Sequence, residues 1–175
     1  MAEHLLEVRN LSVRFHTAAG TVNAVRDISW HLDRGETLAI LGESGSGKSV
    51  SASAIMNLID CPPGEIVSGE ILFEGRDLLA LPESEMRKLR GGRIGMVFQE
   101  PMSAFDPVCT VGHTILQVVR RHTGCSRKEA QARALELFDM VRIPSARRRL
   151  DAYPHELSGG ERQRVVIAIA IANDP

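Results

Sequence analysis

The stretch Gly42–Ser49, with the sequence GESGSGKS, has residue types and spacing suited to holding a phosphate chain, and it fits the pattern G-x-x-x-x-G-K-[ST]. Its glycines allow the backbone to fold around an anion with the N–H groups pointing inward. Lys48 brings a cation to the phosphates, and the Ser49 hydroxyl is suited to ligate Mg²⁺. The stretch therefore predicts a phosphate-binding loop that holds a nucleoside triphosphate with its magnesium ion.

Two elements must position this loop, one on each side of it. Thr37–Leu41 is a short apolar run that predicts a buried strand. After Gly47 a helix start supplies free N–H groups and the positive end of a helix dipole. The apolar stripe of this helix recurs at i, i+3, i+4 and i+7, at Ala52, Ile55, Met56 and Ile59. An ordinary Gly/Ser-rich turn is the alternative, and the strand and helix disfavour it.

A second glycine-rich motif, Leu157–Arg164, has the sequence LSGGERQR. Two glycines follow a serine and open an apolar helix, so the motif predicts another anion-binding helix N-terminus. A plain glycine-rich helix start would explain this motif if it stood alone. The phosphate-binding loop upstream makes the anion-binding interpretation the stronger one.

Composition and charge set limits on the class of protein. The 175 residues are 43% hydrophobic and 25% charged, which is typical of a globular domain. The net charge of -1 gives no reason to expect nucleic acid as a partner. The three cysteines are scattered, which indicates a reducing compartment. No run approaches the roughly 20 apolar residues of a membrane helix, so we expect docking at a membrane to occur through other subunits.

The predicted elements fall into four segments along the chain. An antiparallel β layer comes first, followed by the loop and its core, a helical insert, and a final helix at the second motif. The core has a second predicted strand, Arg93–Phe98, and the insert has a capping box at Ser126–Glu129. The four segments are 4–35, 36–105, 106–157 and 158–175.

Taken together, the motifs resemble the ATP-binding cassette ATPases, the nucleotide-binding subunits of ABC transporters, over the whole chain. Gly42–Ser49 resembles their Walker A loop and Leu157–Arg164 their signature motif. The resemblance implies an α/β fold, a P-loop NTPase of the ABC type with an N-terminal antiparallel β layer and a helical subdomain. It also implies a chain truncated before the Walker B strand.

The resemblance implies a role for each site residue. Phe15 would stack on adenine, and Gln99 would be the Q-loop glutamine that senses Mg²⁺ and the attacking water. Ser158–Gly160 would close over the ATP of an opposite subunit. The implied nucleotide-contacting residues are Phe15, Gly42, Glu43, Ser44, Gly45, Ser46, Gly47, Lys48, Ser49, Val50, Ser158, Gly159 and Gly160. The implied magnesium contacts are Ser49 and Gln99.

Three stretches are similar to the importers of dipeptides, oligopeptides, glutathione and nickel: Gly42–Val50, Phe98–Met102 and Tyr153–Leu157. This similarity implies an ATPase that uses ATP and Mg²⁺ to energise import of peptides or a related small solute. The implied partners are a second ABC ATPase subunit or domain in a head-to-tail dimer, membrane-spanning permease subunits and, indirectly, a substrate-binding protein, but no nucleic acid. The implied location is peripheral, on the cytoplasmic face of the inner membrane. Phe105 and Asp106 depart from the usual Leu-Asn.

Two other functions stay open at this point. One is a soluble ABC-type ATPase in DNA maintenance, although the compact spacing of the two motifs argues against it. The other is a non-catalytic nucleotide-binding fragment. The Walker B aspartate and the catalytic glutamate of the family do not occur before Pro175. We therefore expect the chain to be the N-terminal part of a longer protein, unable to hydrolyse ATP by itself.

Overall fold

A computed structural model describes residues 4–175 of the chain. The chain forms two compact units, the first ending at Met86 and the second beginning at Arg87. Within residues 4–175, no helix combines the length and the apolar character needed to cross a bilayer.

The first unit is built on an antiparallel sheet of four strands in the order β2-β1-β3-β4. The strands are β1 (Leu6–Thr17), β2 (Gly20–Leu32), β3 (Gly64–Phe73) and β4 (Arg76–Asp77). Helix α1 (Lys48–Ile55) follows the glycine-rich loop, and α2 (Glu83–Leu89) runs across the boundary between the units. The predicted antiparallel β layer is therefore confirmed.

A β-bulge in β1 keeps its apolar side chains on one face of the sheet. Val8 and Leu11 are both buried although they are three residues apart, and the register shifts between them. Asn10 takes a left-handed φ of 48° and its N–H donates to Ser29 Oγ at 2.8 Å. Opposite the bulge, a methyl group on Gly69 would lie 2.6 Å from the Leu11 Cα, so glycine alone allows this approach.

The second unit is helical and has its own apolar core. Its helices are α3 (Val111–Thr123), α4 (Arg127–Met140), α5 (Ala146–Leu150) and α6 (Gly159–Ala170). The core side chains come from all four helices and include Ile115, Phe138, Leu150 and Val165. The predicted helical insert and its capping box are confirmed, with the Ser126 N–H donating to Glu129 Oε2 at 2.8 Å.

The two predicted core strands are wrong for this structure. Thr37–Leu41 and Arg93–Phe98 are irregular apart from an isolated bridge between Arg90 and Ile94. Leu41 is 90% exposed and Phe98 is 42% exposed. An apolar run becomes a strand only when another strand hydrogen-bonds to it, and neither segment belongs to the four-stranded sheet found within residues 4–175.

The predicted apolar stripe of α1 is also wrong in part. The helix ends at Ile55, because Met56 caps it and Asn57 takes a left-handed φ of 48°. Ile59 therefore lies beyond the helix. The buried positions are Ser51 and Ala54 within the helix and Met56 at its end. A helix of two turns is too short to fix its buried face by periodicity alone.

Candidate nucleotide-binding site

The glycine-rich loop packs directly against the backbone of strand β2. Gly47 has a left-handed φ of 88°, and a methyl group there would lie 2.2 Å from the Ala24 carbonyl oxygen. No residue type with a side chain could adopt that φ and approach the Ala24 carbonyl oxygen so closely. The sequence therefore needs glycine at this position so that the loop can pack against β2 and begin helix α1.

The side chain of Lys48 lies inside the curve of the loop. Its Nζ donates to the Gly42 carbonyl oxygen at 2.8 Å and to the Glu43 carbonyl oxygen at 2.6 Å. It also donates to Ser46 Oγ at 3.2 Å. The loop is thus shaped around one ammonium group, which gives it a positive centre.

The start of helix α1 adds hydrogen-bond donors to this centre. Gly47 is the N-cap and makes no side-chain cap bond. The first helical bond runs from the Ser51 N–H to the Gly47 carbonyl oxygen at 2.8 Å. The N–H groups of Lys48–Val50 therefore precede the helical ladder and stand at the positive end of the helix dipole. Ser49 is exposed in this first turn.

A cavity of about 540 Å³ lies beside the loop. Its walls come from β2, from the segment before the loop, and from the loop with α1. The lining residues are Asn23, Ala24, Val25, Arg26, Ile28, Ile40, Leu41, Gly45, Ser46, Gly47, Lys48 and Ser51. Sequence reasoning missed Asn23 and Arg26, because nothing in the local pattern shows which strand will face the loop.

Phe15 lies on β1, in the same unit. It is half-buried and pairs with Val22 on one side and Gly64 on the other. A methyl group on Gly64 would lie 3.0 Å from its ring carbon Cε1. Phe15 is not among the residues that line the cavity, so its contact with a nucleotide stays a prediction.

Gln99 belongs to the second unit and lies exposed in a bend. A 3₁₀ turn, Pro101–Ala104, follows it, and the Ser103 hydroxyl donates to the Glu100 carbonyl oxygen at 2.7 Å. Arg162 in the first turn of α6 donates to Met102 Sδ at 3.5 Å. The structure thus connects the segment after Gln99 with the start of the signature helix.

The signature residues open helix α6 through a capping box. Ser158 is the N-cap; its N–H donates to Glu161 Oε2 at 2.9 Å and its hydroxyl to the same oxygen at 2.8 Å. Gly159 and Gly160 are exposed and face open space. Because the two glycines after Ser158 carry no side chains, the first N–H groups of α6 are accessible to an anion.

Glu161 is held from a second side, which sequence reasoning missed. Arg149 on α5 approaches Glu161 Oε1 at 2.7 Å. The Ser158 hydrogen bonds, and then the Arg149 charge, hold the pKa of the Glu161 carboxyl below its usual range. Arg149 is the third of three consecutive arginines, and a run of like charges by itself predicts a solvated helix face rather than a pair with the signature helix.

Comparison with known proteins identifies the family. The model of the ABC transporter family matches residues 25–175. The chain belongs to the ABC transporter family. It is 53% identical over 171 residues to the oligopeptide transport ATP-binding protein OppD of Bacillus subtilis (strain 168), covering 98% of this chain and 48% of that protein.

The ABC family assignment extends to a second curated relative and to solved structures. The dipeptide transport ATP-binding protein DppD of Lactococcus lactis subsp. cremoris (strain MG1363) is 51% identical over 174 residues, covering 99% of this chain and 50% of that protein. The chain spans about half the length of these curated relatives. A dimeric post-hydrolysis structure of the ATP-binding cassette MJ0796, bound to ADP and Pi, matches with a TM-score of 0.86 and 28% identity, covering 97% of this chain and 70% of that one. The predicted ABC-type fold is thereby confirmed.

Proposed function

We propose that this ABC family chain binds ATP and belongs to an ATPase that energises the import of peptides. The observation that carries the proposal is the Lys48 ammonium held inside the GESGSGKS loop beside a cavity of about 540 Å³. The oligopeptide and dipeptide transport proteins among its relatives support peptides as the transported solute. These two relatives favour peptide transport over a soluble ATPase of DNA maintenance.

The residues of the loop fit ATP with Mg²⁺. Lys48 and the free N–H groups of Lys48–Val50 would hold the phosphates, and the exposed Ser49 hydroxyl would take the metal ion. Bound Mg²⁺ would neutralise charge on the phosphates. Phe15 would hold the adenine by stacking, and Gln99 would contact the metal and the attacking water. The protein's contribution is positioning and charge neutralisation rather than covalent chemistry.

The signature residues would act on a second nucleotide. Ser158, Gly159 and Gly160 would close over ATP held by another ABC subunit or domain in a head-to-tail dimer, and the dimeric cassette structure supports such pairing. Permease subunits would hold the dimer at the inner membrane, on its cytoplasmic face, and a substrate-binding protein would deliver the peptide. The exposed signature glycines and the exposed Gln99 are consistent with these contacts.

Calorimetric titration of the protein with ATP tests the phosphate site. Lys48→Ala removes the one side-chain cation of the loop, and charge-assisted contacts are worth about 1.5–3 kcal/mol each, so we expect a loss of affinity of at least about tenfold. Lys128→Ala, which removes an exposed lysine from α4, is the matched control. Equal affinity in both variants would show that the loop does not hold the phosphates.

The same titration separates the two anion sites. Ser158→Arg blocks the approach of a second subunit's nucleotide but leaves the loop intact. We expect it to retain ATP binding by the monomer and to lose ATP-driven dimerisation, which light scattering measures. A loss of monomer affinity as large as that of Lys48→Ala would contradict a role for Ser158 toward the partner's nucleotide.

A further inference from the structure

Two histidines and an aspartate lie close together where strand β1 begins and strand β2 ends. His4 stands just before β1, His31 is the penultimate residue of β2, and Asp33 follows that strand. Their potential ligand atoms all lie within 4.8 Å of one another. His4 Nδ1 is 2.6 Å from Asp33 Oδ1, and the two imidazole rings stack with centroids 4.0 Å apart. None of the three belongs to the proposed ATP site.

Strand pairing and a hydrogen-bonded turn lie next to these three side chains. The pairing of Leu6 with Leu32 joins β1 to β2 between His4 and His31. After β2 a closed turn fixes Asp33, whose N–H donates to Glu36 Oε2 at 2.7 Å while the Glu36 N–H donates to the Asp33 carbonyl oxygen at 3.2 Å. The ligand atoms are therefore brought together by the fold rather than by long mobile loops.

The donor set and its spacing suit a borderline divalent metal ion. Imidazole nitrogen and carboxylate oxygen bind Zn²⁺ at about 2.0–2.2 Å, and ligands of a tetrahedral ion then lie roughly 3.4 Å apart. His4 Nδ1 and Asp33 Oδ1 lie 2.6 Å apart and no pair of ligand atoms is separated by more than 4.8 Å, so small side-chain rotations would bring them to three corners of a tetrahedron. Water would occupy the fourth corner. Glu7, which pairs with His31 across the strands, adds a negative charge nearby although its carboxylate is held by Arg9.

We propose that His4, His31 and Asp33 form a binding site for a divalent transition metal of the Zn²⁺ type. The ion would join the start of β1 to the end of β2 and would stabilise the edge of the sheet by binding only the folded chain. The competing explanation is that the cluster is a hydrogen-bonded His4–Asp33 contact with a stacked ring pair and has no affinity for metal.

Calorimetric titration of the protein with Zn²⁺ tests the site, with Co²⁺ absorption as a second measurement. We expect one site per chain and a rise in the unfolding temperature that EDTA reverses. His31→Gln or Asp33→Asn should weaken Zn²⁺ binding by at least about tenfold, since even residues that only support a metal ligand contribute 10–100-fold. His113→Gln, which removes a histidine on α3, is the matched control and should bind as the parent does.

Three outcomes would overturn the proposal. The first is the absence of Zn²⁺ binding by the parent protein, and the second is equal binding by the His31→Gln and His113→Gln variants. The third is a Co²⁺ spectrum with the intense near-ultraviolet charge-transfer band of a thiolate ligand, because that would place the metal on a cysteine. If a substitution impairs folding, the Co²⁺ spectrum of the parent protein still decides between imidazole and thiolate ligands.

Discussion

Two glycines of the phosphate-binding loop carry different constraints. Gly45 and Gly47 both have left-handed φ values, 82° and 88°. A methyl group at Gly45 would meet open space, whereas one at Gly47 would overlap the Ala24 carbonyl oxygen at 2.2 Å. The pair therefore separates backbone strain from steric overlap within a single loop.

We predict that Gly47→Ala destabilises the protein much more than Gly45→Ala. Left-handed φ costs a non-glycine residue roughly 1–2 kcal/mol, so Gly45→Ala should lose about that much. Gly47→Ala adds overpacking of about 1–3 kcal/mol against backbone that cannot rotate away. Denaturant unfolding measures both free energies. An equal loss in the two variants would mean that the loop does not press on β2 as the structure describes.

At the scale of elements, an ion pair across the sheet has a defined pH dependence. Arg14 on β1 donates two hydrogen bonds to Glu65 on β3, at 2.7 and 2.9 Å, and His16 lies 2.9 Å from the same carboxylate. These groups, Arg14 first, lower the pKa of Glu65 from 4.5 to about 2. A lowered folded-state pKa means that the contribution is complete above the unfolded pKa and is lost as pH falls through the folded one.

We therefore predict that Glu65→Gln lowers the unfolding temperature above about pH 5. Ionisation of the Glu65 carboxyl adds no further change between about pH 5 and pH 7. The difference from the parent protein should shrink as pH falls from 4.5 toward 2. Thermal unfolding of both proteins across this range measures it, and 1 M salt should reduce the difference because the pair is partly exposed. A difference independent of pH would contradict the ion-pair explanation.

Two helices begin with the same capping box, and this permits a matched comparison. Glu129 on α4 caps through Ser126 alone, whereas Glu161 on α6 caps through Ser158 and also pairs with Arg149. Helix-end features of this kind are worth roughly 0.3–1.5 kcal/mol. We predict that Glu161→Ala destabilises the protein more than Glu129→Ala, because it also leaves Arg149 without its carboxylate. Denaturant unfolding of the two variants should show this order, and equal losses would mean that Arg149 contributes nothing.

The elements also show what the sequence could predict and why. The capping box at Ser126–Glu129 was predicted because all its partners lie within one turn. The sequence also predicted strands at Thr37–Leu41 and Arg93–Phe98, and the structure does not contain them. Strand formation depends on pairing with residues far away in the sequence, which a local pattern does not reveal. The Arg149–Glu161 pair was missed for the same reason. The sequence thus predicts contacts within one turn of helix, and it does not predict contacts between distant segments.

At the scale of the whole molecule, two exposed apolar stretches outside the sheet, Thr37–Leu41 and Val97–Phe98, influence how the 175-residue chain behaves. Thr37–Leu41 presents backbone N–H and C=O groups outside any sheet together with Leu41, which is 90% exposed. Phe98 adds a further exposed aromatic ring in the second unit. Unpaired extended backbone with apolar side chains is a template for association between chains.

We predict that this chain self-associates. Leu41→Lys should reduce association, because a charge on such a segment opposes pairing between chains. Val108→Lys is the matched control: Val108 is 78% exposed, but it stands in a turn rather than in an apolar run. Size-exclusion chromatography with light scattering measures the associated fraction. A monomeric parent chain would refute the prediction.

The three acceptors around the Lys48 ammonium all belong to its own loop. The phosphate oxygens of a bound nucleotide would therefore compete with two carbonyl oxygens and a hydroxyl for the three protons of the ammonium group. Affinity then reflects an exchange of neutral acceptors for ionised ones. Such an exchange discriminates by the charge of the incoming group, so the loop would rank nucleotides by the number of phosphates that reach it before any contact with the base is made.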